Sequence, residues 1–153
     1  MLKVSQRTEY AIRAMVELAQ HTDGGMIPAR EIAERQQIPL RFLEQQLAAL
    51  AKAGLVESHR GAGGGCKLAR DASEITVAQV VDVIEGQSYP MYCLDPNDHT
   101  CVQDARCGLQ ELWGDVYGAV RAVFERTTIA GLAERHQAVA APFFAPAELI
   151  RRP

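Results

Sequence analysis

Several features are missing from this sequence of 153 residues, and each absence argues against a class of protein. No stretch approaches the roughly 18 consecutive apolar residues of a membrane-spanning helix. The first residues, through Arg7, lack the apolar segment of a secretory signal peptide, so we expect a cytoplasmic protein without a membrane partner. No phosphate-binding glycine motif, nucleophile elbow or metalloprotease helix is present, which argues against an enzyme.

Cysteine is scarce, and its four copies are unevenly placed. Cys66 stands alone, whereas Cys93, Cys101 and Cys107 follow one another with spacings of seven and five residues. In a reducing compartment such cysteines are more often ligands or sensors than disulfides. The absence of a Cys-x2-Cys pair weighs against structural zinc, although His99 offers a further zinc ligand. The residues alone leave an iron–sulfur cluster, zinc and plain thiols as alternatives.

The modest net charge of −3 conceals a difference between the two halves of the chain. Residues 1–70 carry ten Lys and Arg against seven Asp and Glu, whereas residues 71–153 carry six against twelve. Basic side chains attract DNA phosphates, so any DNA-binding surface belongs to the first half.

The pattern of apolar residues predicts a mainly α-helical chain with one small β-hairpin. Pro39 separates the second and third helices by a tight turn, and Gly54 caps the third. Thr76 and Gln79 form a capping box for the fourth helix. A glycine-rich tip at residues 61–65 joins two short strands, which lie at 55–60 and 66–70. Helical spacing predicts helices over 5–22, 29–36, 40–53, 76–85, 108–126 and 128–138.

This order of elements, a helix-turn-helix followed by a hairpin, predicts a winged helix-turn-helix fold with an additional long helix. Four segments follow from it. Residues 1–86 form the DNA-binding domain, 87–107 an irregular cysteine-bearing loop, 108–138 a dimerisation helix with a short C-terminal helix, and 139–153 an extended tail.

The long helix carries two adjacent apolar stripes, whereas a single packing seam needs only one. We therefore expect one stripe to pack against the chain's own core and the other against a second copy. The alternative is burial of both stripes within one domain. The first stripe comprises Leu109, Leu112, Val116, Ala119 and Val123, and the second comprises Trp113, Tyr117, Val120 and Phe124.

The third helix is the predicted recognition helix, because the second helix of a helix-turn-helix enters the major groove. Arg41, Glu44 and Gln45 share its polar stripe and match guanine, cytosine and adenine respectively. A solvated helix face is the alternative explanation. The candidate contacts to phosphates or the minor groove are Arg60, Gly61 and Lys67 in the wing and Arg7 in the first helix.

Several motifs together resemble the iron–sulfur regulator family that includes IscR, NsrR and RirA. The resemblance implies a homodimer that binds a palindromic promoter site, and we expect it to act as a repressor or a dual regulator. It also implies an iron–sulfur cluster on Cys93, Cys101 and Cys107. The matching motifs are Ser5 to Ala11, Phe42-Leu43-Glu44-Gln45, Gly54-Leu55-Val56, Arg60 to Gly65, the three cysteines, Leu112-Trp113 and Thr128 to Leu132.

Members of this family differ in the fourth ligand of the cluster. The IscR type has a histidine three residues after the last cysteine, where this chain has Gln110. The NsrR type has an acidic residue in the partner's first helix, and Glu9 aligns with it here, which makes Glu9 of the second subunit a candidate ligand; an ordinary surface glutamate is the alternative. The seven-residue spacing between the first two cysteines is closer to RirA. The cluster type, [2Fe–2S] or [4Fe–4S], stays open, and so does the signal: iron or cluster supply, nitric oxide or redox state.

Two other functions remain compatible with the sequence. One is a cluster-free regulator of the same fold, controlled by thiol oxidation or by another protein. The other is an enzyme or electron carrier that uses the cluster. Cys66 lies outside the cysteine trio and is expected to be a small buried apolar residue, with a redox-active thiol as the alternative.

Overall fold

A computed structural model describes residues 4–21, 25–61, 63–86, 89, 91–98 and 107–138. It has the predicted mainly α-helical architecture with a two-stranded wing, which confirms the fold class. No helix within these ranges is long and apolar enough to cross a membrane. The elements are α1 (Gln6–Gln20), α2 (Ala29–Gln36), α3 (Leu40–Lys52), β1 (Val56–His59), β2 (Gly65–Leu68), α4 (Val77–Glu85), α5 (Gly108–Arg126) and α6 (Ile129–Ala138).

The helices begin and end where their capping residues require. The Ser5 hydroxyl accepts a hydrogen bond from the Thr8 amide at the start of α1. The predicted capping box of α4 is present, with Thr76 and Gln79 each accepting from the other's backbone N–H. Gly54, with φ +72°, follows α3 in the left-handed conformation that favours glycine.

The core of the N-terminal half forms where α1, α2, α3 and α4 meet. Fully buried apolar side chains from each helix fill it, because each helix carries an apolar face at helical spacing. Among its largest members are Met15, Ile32, Leu43, Leu50 and Val80.

The wing is rooted in this core by a third extended segment. β1 and β2 are antiparallel, with Val56 opposite Leu68. Ile27 pairs with Cys66 on the other side of β2 through two backbone hydrogen bonds of 2.9 and 2.8 Å. A Cβ at Gly65 would lie 2.6 Å from the Ile27 carbonyl carbon and oxygen, so the close approach of this segment requires glycine.

The last helix returns to the same core. Ile129 is fully buried in it, and Ala133 of α6 is also buried. The Val77 amide donates to the Thr127 carbonyl and the Ile129 amide to the Ile75 carbonyl, both at 2.8 Å. We call the unit formed by α1 to α4, the wing and α6 the head. The chain leaves the head after Gly86 and re-enters it at Thr127.

Two polar junctions hold α4 in place. At its C-terminal end, the Glu85 carboxylate accepts hydrogen bonds from the Ser5 and Thr8 hydroxyls at the start of α1. One turn earlier, Asp82 accepts from both terminal nitrogens of Arg121 on α5, with Nη2 at 2.8 Å. Helix α4 therefore connects the long helix to the first turn of α1.

The two apolar stripes of α5 differ in burial. One stripe packs against the rest of the chain, and the other is exposed. The half-buried stripe is Trp113, Tyr117, Val120 and Phe124, and the Tyr117 ring lies 5.6 Å from that of Tyr89. No residue of α5 is fully buried. The exposed stripe is Leu109, Leu112, Val116, Ala119 and Val123, with Leu109 60% and Leu112 50% exposed.

Candidate nucleic-acid interface and cysteine site

Helix α3 presents the polar stripe that the sequence predicts. Arg41, Glu44 and Gln45 are exposed, while Leu43 and Leu47 on the opposite face are buried. Within the described ranges these three polar side chains form no hydrogen bond or ion pair. Their donors and acceptors are therefore available to an external partner.

Phe42 lies beside this stripe and is 51% exposed. Sequence reasoning placed it in a family motif without assigning it a contact. A large apolar side chain left open next to three polar ones offers a second type of contact on the same surface. Its carbonyl accepts a hydrogen bond from the Gln46 side chain at 3.3 Å, one turn further along α3.

A polar cluster between α1 and α2 fixes the position of the helix-turn-helix. The nearly buried Glu17 accepts hydrogen bonds from Arg35 at 2.9 Å and from the Gln36 side chain at 2.6 Å. Arg13 donates to the Gln36 backbone carbonyl. Gln37 then takes the left-handed conformation, with φ +52°, and turns the chain into α3. These contacts set the angle at which α3 leaves α2.

The candidate DNA-contacting residues of the wing differ in whether they have a partner within the chain. Arg60 is exposed at the end of β1, and Gly61 has φ +99°, a conformation that favours glycine. Lys67 instead forms an ion pair with Glu57 across the hairpin, with Nζ and Oε2 3.0 Å apart. Arg60 is thus open to a partner, whereas Lys67 must share its charge with Glu57.

The two candidates on α1 are also paired within the chain. The 62% exposed Arg7 side chain lies 3.7 Å from Glu85, and the 60% exposed Glu9 side chain lies 3.6 Å from Arg13 one turn later. Such exposed ion pairs contribute little free energy, so both residues can exchange partners at small cost.

Two members of the cysteine trio lie within the described residues, and Cys101 lies outside them, as does His99. Cys93 sits in the short 3-10 turn Tyr92–Leu94, and Cys107 is the N-cap of α5. Both are half-buried free thiols. Gln110 forms hydrogen bonds with the backbones of both cysteines. Its backbone N–H donates to the Cys107 carbonyl at 3.0 Å, and its side-chain Nε2 donates to the Cys93 carbonyl at 2.9 Å.

Gln110 therefore links the backbones of Cys93 and Cys107 at the start of α5. Among the described residues no group of three or more His, Cys, Asp or Glu is arranged to hold a metal ion. At this site the described residues offer the free thiols of Cys93 and Cys107, and cysteine thiolates are the preferred ligands of iron–sulfur clusters.

Cys66 lies apart from this site, in the wing strand that pairs with Ile27. It is 6% exposed, and burial raises the pKa of its thiol. A raised pKa keeps the sulfur protonated and unreactive. The structure thus supports a small buried apolar role for Cys66.

Two residues escaped the sequence analysis. Glu85 gave no local signal, because its partners Ser5 and Thr8 lie 80 and 77 positions away. Gln110 attracted notice only as a position without histidine, and its partner Cys93 lies 17 positions away in the sequence. Neither contact follows a helical or strand period.

Comparison with known proteins gives a consistent result. Residues 4–135 match the sequence profile of the Rrf2 family, described as an iron-dependent transcriptional regulator. The HTH-type transcriptional regulator IscR of Photobacterium profundum is 34% identical over 131 residues, which cover 86% of this chain and 75% of that relative.

Solved structures agree with these sequence matches. The structure of IscR from T. potens has a TM-score of 0.73 and 34% identity, covering 92% of this chain and 93% of the other. CymR, the global cysteine regulator of B. subtilis, has a TM-score of 0.76 and 32% identity, covering 88% and 98%. CymR of Staphylococcus aureus in an oxidised form has a TM-score of 0.70 and 32% identity, covering 87% and 97%.

Proposed function

The chain belongs to the Rrf2 family of winged helix-turn-helix transcriptional regulators, and from this premise we propose that it is a homodimeric repressor controlled by an iron–sulfur cluster. The cluster binds to Cys93, Cys101 and Cys107. Its state sets the affinity of the dimer for a palindromic promoter site. The signal is iron or cluster supply, nitric oxide or redox state.

The base-reading residues we assign are Arg41, Glu44 and Gln45. All three are exposed on the recognition helix and have no partner in the part of the chain that the structure describes. This supports the assignment, because each has a matching pattern of donors or acceptors in the major groove. The adjacent Phe42 supplies an apolar contact of the kind that thymine methyl groups accept.

Backbone contacts belong to the wing and the first turn of α1. Arg60 and the Gly61 backbone approach the phosphates or the minor groove. Lys67 and Arg7 join them by exchanging an intramolecular carboxylate, Glu57 or Glu85, for a phosphate. Such contacts position the head without reading sequence.

The second copy covers the exposed stripe of α5. Five apolar residues, spaced three or four positions apart, form a continuous apolar surface along one face of this 19-residue helix. Such a surface marks an interface. Pairing two such helices places two recognition helices on one duplex, which requires a two-fold symmetric operator.

The observation that supports the cluster proposal is the link that Gln110 makes between the Cys93 and Cys107 backbones at the start of α5. Their free, half-buried thiols fit a thiolate-bound iron centre, and Cys101 supplies the third thiolate. A cluster bound there provides a redox-active iron centre with an exchangeable position. The fourth ligand we assign is the partner's Glu9, whose exposed carboxylate forms a weak ion pair with Arg13 of its own chain.

A second candidate function is control by the thiols themselves, without a cluster. The free thiols of Cys93 and Cys107 and the likeness to a CymR solved in an oxidised form favour it. In that case oxidation of the cysteines changes DNA affinity directly.

Anaerobic isolation separates the two candidates. The protein is purified without oxygen, its iron and sulfide are measured, and Mössbauer spectra give the cluster type. Promoter affinity is then compared at one fixed salt concentration before and after cluster removal, since affinity for DNA depends strongly on salt. A colourless, iron-free protein favours thiol control, and equal affinity with and without iron contradicts cluster control.

Two variants test the individual assignments. Cys101→Ala is expected to lose the cluster colour and remain a folded dimer, whereas full iron content would contradict the ligand assignment. Glu44→Ala is expected to change the ranking of operator variants by roughly 1–3 kcal/mol at one base pair. An unchanged ranking would remove Glu44 from the base-reading set.

A further inference from the structure

Gln110 makes two hydrogen bonds that join the two described cysteines of the trio. Its backbone amide donates to the Cys107 carbonyl at 3.0 Å, as the first turn of α5 requires. Its side-chain Nε2 donates to the Cys93 carbonyl at 2.9 Å. One residue therefore fixes the backbone of Cys93 against the N-terminus of the helix that Cys107 caps.

The chemistry of the amide restricts what Gln110 can do at this site. The amide nitrogen of glutamine is a hydrogen-bond donor and not a metal ligand, its carbonyl oxygen is a hard donor poorly matched to a thiolate-bound iron centre, and a histidine nitrogen would suit iron better. In this chain the donor already has a protein acceptor. The side chain is consequently directed at the Cys93 backbone.

We propose that Gln110 is a positioning residue of the cysteine site, which holds Cys93 beside Cys107 before any metal binds. This inference rests on the proposed function, because it names the residue that prepares the cluster ligands. Preorganisation lowers the cost of binding, since the segment that carries Cys93 need not be ordered at the moment of ligation.

The same arrangement explains why the position need not be a histidine. A chain that uses residue 110 as a brace must obtain its fourth ligand elsewhere. The position that a histidine would take is then left to a carboxylate, a water molecule or an exogenous ligand. Use of residue 110 as a brace therefore leaves the fourth coordination position to an exchangeable ligand.

Three variants test the brace. Gln110→Ala removes the side chain, and Gln110→Glu keeps its shape but replaces the donor by an acceptor facing the Cys93 carbonyl. Glu111→Ala is the matched control, because Glu111 is the next residue of the same helical turn, is exposed and has no hydrogen bond or ion pair among the described residues.

The metal arm uses Co²⁺ as the probe, titrated anaerobically into the reduced, metal-free full chain and followed by its thiolate charge-transfer absorption. We expect Gln110→Ala to bind about 3- to 10-fold more weakly than the parent, the effect of one hydrogen bond. Gln110→Glu is expected to bind at least as weakly as Gln110→Ala. If Gln110→Glu binds Co²⁺ as tightly as the parent, then the shape of the side chain or its ligation of the metal accounts for its effect, and the proposed donor role is overturned.

The metal-free arm measures amide hydrogen exchange over residues 91–98. We expect exchange in this segment to accelerate about 3- to 10-fold in both Gln110 variants and to be unchanged in Glu111→Ala. Unchanged exchange in the Gln110 variants overturns the brace even if the parent binds cobalt and iron. Accelerated exchange with no metal uptake by the parent keeps the brace and overturns the proposed cluster, so the two failures are distinguishable.

Discussion

Replacing Glu85 by glutamine removes one negative charge from the junction of α4 and α1 without changing the size of the side chain. In the native protein this carboxylate accepts from the Ser5 and Thr8 hydroxyls, and Arg7 lies 3.7 Å away. Thr8 is almost completely buried, so its hydroxyl has no access to bulk water. The charge lies between the N-terminus of α1, whose dipole favours it, and the C-terminal end of α4, whose dipole opposes it, so we attribute the stabilisation to the two hydroxyl hydrogen bonds.

The expected loss follows from these contacts. Hydrogen bonds to a charged acceptor contribute about 1.5–3 kcal/mol each, against about 1 kcal/mol for neutral ones. Glutamine retains a neutral acceptor, and the exposed Arg7 pair adds only about 0–1 kcal/mol. We expect Glu85→Gln to lower the free energy of unfolding by about 1–3 kcal/mol at pH 7.

The loss depends on pH in a defined direction. The Ser5 and Thr8 hydrogen bonds hold the pKa of Glu85 below its usual range, and Arg7 adds to this effect. A lowered pKa in the folded state stabilises the protein above the carboxyl pKa of the unfolded chain, about 4.3. That stabilisation disappears as the pH falls through the folded-state pKa. The difference between the parent and Glu85→Gln should therefore be complete at pH 7 and shrink below about pH 4.

Urea denaturation from pH 7 down to pH 3.5 measures this difference, with Glu34→Gln as the control. Glu34 also lies near the C-terminal end of a helix, α2, but is exposed and has no side-chain hydrogen bond or ion pair among the described residues. The control should change stability by less than about 0.5 kcal/mol at every pH. A Glu85→Gln loss that stays constant across this range would refute the charge-based reasoning.

Three further predictions test the packing of the head and wing. Because Ile129 is fully buried in the head, urea denaturation should show that Ile129→Ala lowers the free energy of unfolding by about 2–5 kcal/mol and Ile129→Val by about 0.5–1.5 kcal/mol. Equal effects of the two substitutions would contradict this burial. Gly65→Ala should lower the free energy of unfolding by about 1–3 kcal/mol or more, because the added Cβ meets the Ile27 carbonyl. Gly108→Ala is the control and should leave the stability unchanged, because an added Cβ there has nothing within 4 Å. Similar Tm values for the two variants would refute the close approach at Gly65. In metal-free protein iodoacetamide should label Cys66 about tenfold more slowly than Cys93, because burial raises the pKa of Cys66; comparable rates by mass spectrometry would contradict it.

The helices could be predicted from sequence because their signals are local. The capping box of Thr76 and Gln79, the glycine after α3 and the apolar spacing of α5 each lie within a few residues of what they determine. The predicted ranges of the described helices consequently end within two residues of the observed ones. The exposed and buried stripes of α3 follow from the same period.

The contacts that join distant parts of the chain could not be predicted in this way. Ile27 pairs with Cys66 although no strand pattern surrounds it, and Ile129 joins a core built mainly from the first 86 residues. The Glu85 and Gln110 contacts depend on how whole elements pack, and packing is not encoded in any single period. The candidate base-reading residues were accessible from sequence, whereas the residues that support the cysteine site were not.

The return of the chain to the head at Thr127 has a consequence for how such regulators diversify. The excursion that carries the cysteines and α5 begins at Gly86 and is pinned at its far end by Ile129. Residues added or deleted between these anchor points lengthen or shorten the excursion and leave the recognition helix and wing in register. The spacing of the cysteines can therefore change without displacing α3 or the wing from the head.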